Sequence, residues 1–147
     1  GAHMQELRRT KTGPFCEDNM VTLYDLKDAY VFWEDYGIES ELRKFIQPVE
    51  VALIHMPKIV IRDSAVDAIC RGASLAVPGV VSLDTNIYDG NTVCLFTQKG
   101  EVVAICKSSM DTNEILESEN GIVAITENVI MDADTYPRAW KKGKIQE

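Results

Sequence analysis

The sequence predicts an α+β chain, with a helical segment over residues 1–57 followed by a small β-barrel over residues 58–147. Three observations carry that expectation. Apolar side chains recur at helical spacing as far as Met56, whereas from Lys58 onward they fall into short β-rich runs bounded by Gly, Pro and Asp-Gly turns. The composition, 46% hydrophobic and 26% charged over 147 residues, is that of one compact domain or of a small domain with a helical extension. About five or six short strands with one or two small helices, in about 80 residues, describe a small barrel-like sheet.

Gly13-Pro14 breaks the chain before the first long helix, predicted over Met20 to Tyr36. There Leu23, Leu26, Tyr30 and Trp33 fall on one face, Thr22 can cap with Asp25 three residues on, and Gly37 can terminate. Ser40 to Ile46 makes a short second helix. Pro48 suits the first residue of a third, carrying Val49, Ala52, Leu53 and Met56 to a stop at Pro57. Ile59-Val60-Ile61 reads as a strand, and Asp63 or Ser64 as the cap of a short helix ending at Gly72-Ala73. Leu75 to Leu83 is apolar but interrupted by Pro78-Gly79, so it bends or opens with a loop. Asp89-Gly90 is a turn, and Thr92 to Gln98 with Glu101 to Lys107 flank Lys99-Gly100 as a hairpin. Met110 to Glu119 is a helical turn or two, and Gly121 to Met131 one long strand or a pair.

A net charge of -8 argues at first against nucleic-acid binding, because phosphate contacts need positive potential. The charge is uneven. Residues 16–41 hold eight acids against Lys27, and residues 111–134 hold seven acids and no base. The remainder is basic, notably Arg8, Arg9 and Lys11 near one end and Arg138, Lys141, Lys142 and Lys144 near the other, so a local basic face is open. Cys16, Cys70, Cys94 and Cys106 are scattered and only His3 and His55 could join them, too few suitably spaced ligands for a closed zinc site. They read as reduced, mostly core thiols in a reducing compartment. No apolar run approaches a membrane span, and no leader pattern opens the chain. A nucleophile elbow, a P-loop, a dinucleotide fingerprint and paired metal carboxylates are not found, and Glu127, Asp132 and Asp134 read as a solvated acidic turn. No self-contained active site is visible.

Three runs resemble one family, in the family's order. Gly1 to Thr10, containing Leu7-Arg8-Arg9 and continuing through Gly13-Pro14-Phe15, is similar to a late catalytic-domain motif of dyskerin and its archaeal counterparts, the pseudouridine synthases of box H/ACA ribonucleoproteins. Pro57 to Cys70, through Gly72-Ala73 to Val77-Pro78-Gly79, resembles the opening of that family's PUA domain, and Asp134 to Trp140 resembles its close. Gly1-Ala2-His3-Met4 has the look of a scar left by tag removal, yet it also resembles the family's own sequence.

The resemblance implies residues 1–57 as a C-terminal remnant of the catalytic domain and 58–147 as a PUA RNA-binding domain. It implies that the catalytic aspartate and the base-stacking tyrosine lie upstream of the matched segment. Either Arg8 or Arg9 would be the arginine that pairs with that aspartate, the plain alternative being two surface charges. Leu83-Asp84-Thr85, superficially like an aspartate motif, is expected to be an ordinary turn. No cofactor or metal is implied.

For the PUA part the resemblance implies binding of the lower stem and 3' ACA of an H/ACA guide RNA. Gly72, Ala73, Leu75, Pro78 and Gly79 would form the loop that meets it. Lys58, Arg62, Arg71, Arg138, Lys141 and Lys142 would meet phosphates. Gly72 as a plain helix cap stays open, and Tyr136 and Trp140 suit base stacking or core equally. In the helical part Tyr24, Tyr30, Phe32, Trp33 and Tyr36 exceed what one buried face can use and are rimmed by acids, which suggests a contact with the catalytic core or an accessory H/ACA protein. Substrate RNA would be a further partner of the whole assembly, and no membrane is implied. Gly13-Pro14-Phe15 leans toward the archaeal branch and cytoplasm, with the nucleolus as the eukaryotic alternative. Two other readings differ in class: a stand-alone tRNA pseudouridine synthase of the same family, and a non-enzymatic PUA protein of ribosome assembly or translation.

Overall fold

In the computed structural model, which describes residues 1–138, the chain divides into two units, Gly1–His55 and a second beginning at Met56. The first opens with a two-residue antiparallel pair, β1 (Lys11–Thr12) and β2 (Phe15–Cys16), followed by a 3-10 turn over Glu17–Asn19. Helix α1 (Leu23–Tyr36) starts where the sequence provides a reciprocal cap: the Asp25 amide donates to Thr22 Oγ1 while the Thr22 amide donates to the Asp25 carboxylate. It ends at Gly37. The two helices that follow are single turns, α2 (Leu42–Phe45) and α3 (Glu50–Leu53), and α3 stops short of Pro57.

Within α1 only Ala29 is buried, and Leu23, Tyr24, Tyr30, Phe32, Trp33 and Tyr36 are all exposed. Leu23, Tyr30 and Trp33 do share a helical face with half-buried Leu26, and among the described residues that face is only partly covered. Tyr30 and Trp33 instead meet edge to face at 5.5 Å.

Among the described residues, the second unit is a six-stranded sheet with two short helices. Its strands are β3 (Lys58–Ile61), β4 (Leu75–Ala76), β5 (Val80–Leu83), β6 (Thr92–Phe96), β7 (Val102–Ser108) and β8 (Ile122–Val129). Their order is β4-β8-β7-β6-β3-β5, antiparallel throughout except for the parallel pair β3–β6. The two outermost strands are consecutive in the chain, with only Val77–Gly79 between them. Four residue steps reach at most about 14 Å, whereas the edges of a flat sheet of this size would lie about 24 Å apart. The sheet must curl until its edges nearly meet, which gives the nearly closed barrel that the sequence predicts.

Its interior is filled by Ile59, Ile61, Val93, Leu95, Val103 and Val123 from the strands, with Val66 and Ile69 from α4 (Asp63–Cys70) and Ile115 from α5 (Thr112–Glu117). Strand β3 runs straight into α4, because the Arg62 amide is held by the Gly79 carbonyl at 2.8 Å. The N-cap is consequently Arg62, in extended conformation and without a side-chain cap bond, and not Asp63 or Ser64 as the sequence suggests. Asp63 still serves the helix as an acid in its first turn.

Candidate nucleic-acid interface

Helix α4 and the segment that returns past it from Ser74 to Gly79 enclose a groove of about 340 Å³. Small residues make it. Ser64, Ala65 and Ala68 supply the helical wall, and Ala76, Pro78 and Gly79 the opposite one. A Cβ on Gly79 would lie 3.0 Å from Leu75 Cδ1 and 3.4 Å from Ala65 Cβ, so glycine lets this segment approach the helix closely. Leu75 contributes differently from the sequence expectation: its side chain is 1% exposed and belongs to the core, which leaves only its backbone for the groove.

Gly72 closes α4. Its amide donates to Ile69 O at 2.8 Å and the Ala73 amide to Ala68 O at 3.0 Å, the pair of bonds that makes a Schellman cap, and Gly72 takes the left-handed conformation that this cap requires (φ +86°). A Cβ there would meet nothing within 4 Å. Glycine at 72 is thus accounted for by backbone conformation, and the space beside it is open. The Ala73 carbonyl also accepts from Thr126 Oγ1 at 2.7 Å, so both polar backbone groups of Ala73 are already engaged.

The arginines beside this turn are held by acids. Asp67, 5% exposed on α4, accepts from Arg71 Nε at 3.1 Å and from the Asp134 amide at 3.1 Å, with Arg138 Nε at 3.3 Å. Arg71 Nη2 reaches Asp134 Oδ1 at 2.6 Å. The hydrogen bond from Arg71 holds the Asp67 carboxyl below the usual range, aided by the Asp134 amide and the Arg71 and Arg138 charges against an opposing cost of burial. Arg71, expected to meet phosphate, is paired with Asp67 and Asp134 and so clamps α4 to the 132–138 segment. Asp134, expected in a solvated turn, is half of that clamp and takes a positive φ of 67°.

Tyr136 is core and not an open stacking platform. It is 8% exposed, its hydroxyl donates to Glu101 Oε2 at 2.6 Å, and Lys99 Nζ covers its ring at 5.3 Å. Lys58 opens β3 and Arg62 follows its last residue, about 13 Å further along the chain direction. Arg62 is exposed beside the groove, whereas Lys58 is half-buried with Nζ over the Phe96 ring at 5.2 Å and does not join it. Asp84 is structural, its carboxylate accepting from the Lys58 amide at 2.8 Å. Lys141, Lys142 and Trp140 lie outside the described residues. Ser64, Ala65, Ala68, Ser74 and Ala76 are groove residues that the sequence reading does not name as part of the site. Their signal was there, since Ser64, Ala65 and Ala68 put small side chains on one face of a predicted helix.

In the first unit, Arg8 pairs with Glu17 at 2.9 Å and is largely exposed, while Arg9 lines a separate groove with Lys11, Phe15, Phe45 and Val51. Among the described residues no group of three or more His, Cys, Asp or Glu could hold a metal, and no helix is long and apolar enough to cross a membrane.

Comparison with known proteins adds a second line of observation. A family model described as the tRNA pseudouridylate synthase B C-terminal domain matches residues 1–54, and the PUA domain model matches residues 57–130. The chain is 58% identical over 142 residues to a probable tRNA pseudouridine synthase B of Methanosarcina acetivorans, covering 97% of this chain and 42% of that protein. To the protein of the same name from Methanocaldococcus jannaschii it is 53% identical over 143 residues, covering 97% and 43%. Among solved structures, the archaeal box H/ACA sRNP Nop10-Cbf5 complex matches with a TM-score of 0.91 and 51% identity over 95% of this chain and 45% of the other. An H/ACA RNP bound to a substrate RNA containing 2'-deoxyuridine matches with a TM-score of 0.90 and 50% identity, over 95% and 44%. The chain thus spans about two-fifths of the length of these relatives, and both of its units fall within the shared region.

Proposed function

The chain belongs to the TruB-type pseudouridine synthase family, through that family's C-terminal domain and the PUA domain after it, and from this we propose that it is the RNA-placing C-terminal part of an RNA-guided pseudouridine synthase of the box H/ACA kind. Residues 1–57 are the closing piece of the catalytic domain and residues 58–147 the PUA domain. The PUA part binds the lower stem and 3' ACA of a guide RNA, and so fixes where a substrate uridine lies relative to a catalytic aspartate carried outside this chain. The observation that carries the reading is the groove between α4 and Ser74–Gly79, where small side chains and the capped turn at Gly72 leave room for nucleotides. Small side chains there allow sugar and base edges to approach the backbone closely, and exposed Arg62 offers a phosphate contact at the rim. Archaeal relatives favour a cytoplasmic setting.

The test is binding of the chain to a hairpin with a 3' ACA tail, measured against the same hairpin with the tail scrambled, by fluorescence anisotropy over a range of salt. Preference for ACA, with affinity that falls as salt rises, is the expected result. Equal binding of the two tails refutes the guide-RNA reading. The names of the curated relatives favour a second reading, a tRNA synthase acting without a guide, which predicts tighter binding to a tRNA stem-loop than to either hairpin.

A further inference from the structure

Ser64 lines two grooves. On one side of it lies the α4 groove already described, and on the other a groove of about 520 Å³ between the start of α4, the β6–β7 turn and residues 135–138, lined by Asp63, Ser64, Lys99, Glu101, Thr135 and Arg138. We infer that this second groove is a phosphate subsite for the RNA strand leaving the first, with Lys99 and Arg138 as its two cations. The inference rests on the proposed RNA-binding reading and adds the residues that extend it.

Both cations are fixed in place by contacts that leave their charge facing outward. Lys99 sits in a turn organised by Thr97, 1% exposed, whose hydroxyl accepts from the Lys99 and Glu101 amides at 3.2 Å each. Its ammonium rests over the Tyr136 ring, a contact with a π face that occupies none of its N–H donors in a hydrogen bond. The neighbouring Glu101 carboxylate accepts through Oε2 from the Tyr136 hydroxyl at 2.6 Å and from Thr97 Oγ1 at 3.1 Å, and it also feels the Lys99 charge through space. Arg138 is anchored through Nε on Asp67, and its side chain remains 55% exposed. Arg71 differs from both, because Asp67 and Asp134 take it from two directions. The Ser64 hydroxyl supplies a neutral partner along the same path, while the Thr135 hydroxyl already donates to the Asp132 carbonyl at 2.7 Å.

The charge in this groove is balanced by Asp63 and Glu101, so it does not attract anions at long range. Its specificity lies in geometry: a single phosphate must come within reach of both cations. A strand whose bases enter the α4 groove and whose backbone continues past Ser64 would bring one.

The test uses the full chain and the ACA-tailed hairpin. Lys99→Met removes the charge while retaining chain length. It is expected to weaken binding about 3- to 10-fold at low salt and to lower the salt slope by about one. The ratio of ACA to scrambled affinity should not change, and Lys99→Arg should restore both affinity and slope. A scan of single methylphosphonates, each neutralising one phosphate, should find one position whose effect equals that of Lys99→Met and does not add to it. Arg138→Gln should single out the same phosphate, which keeps the inference testable should either variant disturb the fold. If ACA preference is present but Lys99→Met leaves affinity and slope unchanged, or no phosphate couples to it, the subsite is overturned and the proposed function stands. If the unaltered chain does not distinguish the tails, both fall.

Discussion

Replacing Gly72 separates a conformational requirement from a recognition one, because the structure assigns the first a definite size. With φ at +86° and no atom within 4 Å of a built Cβ, Gly72→Ala meets no steric contact and loses only the freedom to adopt a left-handed backbone. That conformation costs an L-residue about 1–2 kcal/mol. In a domain of this size each kcal/mol lowers the melting temperature by about 4–8 °C. Gly72→Asn should lose less than Ala, since asparagine tolerates this region better. Gly72→Glu has the same backbone cost as Ala but also projects a carboxylate into the open space beside the α4 groove. The assay is paired: thermal or urea unfolding of each variant, and binding to ACA-tailed and scrambled hairpins well below its melting temperature. Ala and Glu should melt together, Asn between them and the unaltered chain, and only Glu should lose the tail preference. A Gly72→Ala variant as stable as the original would refute the cap. A Gly72→Glu variant that keeps the preference would refute the placement of RNA at this turn.

Acid should open the clamp on the C-terminal segment. The Asp67 carboxyl is held below its usual range, so its contribution to stability is complete above the ordinary aspartate value of about 3.9 and is lost as pH falls through the lower, native value. The Asp134 amide and Arg71 Nε–H, followed by NMR, should shift together with a midpoint below that of a free aspartate, and Asp67→Asn should abolish the transition. Thiol reactivity offers an independent check of burial. Cys16 is exposed and should react promptly with a disulfide reagent, whereas Cys94 and Cys106 are buried and should react only on unfolding. Burial pushes the Cys106 thiol up to about 11, so little thiolate is present at neutral pH.

What the sequence made legible was local. The Thr22–Asp25 capping box marked the start of α1, Lys99-Gly100 marked the β6–β7 turn, and Pro78-Gly79 marked the bend between β4 and β5, because each is decided by residues within a few positions of one another. The cap of α4 was misplaced for the opposite reason: the Arg62 amide is fixed by Gly79, seventeen residues on, which no local pattern reports. The candidate site was legible as a segment and less so as a set of side chains. Pro78 and Gly79 line the α4 groove, and Arg62 is exposed next to Gly79, to which its amide is bonded. The pairing of Arg71 with Asp134 joins residues 63 apart and leaves no local trace, whereas its Asp67 partner at i-4 is visible in the sequence. Leu75 and Tyr136 proved to be core, a distinction that rests on which neighbours cover an apolar side chain and that composition alone does not supply.

The three-residue link between β4 and β5 has a consequence for the order of assembly. Those strands are brought close by the chain itself, yet β4 finds its hydrogen-bonding partner in β8, the last in chain order of the described strands. Until Ile122–Val129 arrives, β4 lacks its neighbour and β7 presents a seven-residue edge of bare amides and carbonyls to any passing strand. A nascent chain halted before Ile122 therefore holds nearly all of the core residues with no way to close around them. Such an open edge is a template for pairing with another strand, and β8 is the fastener that occupies it.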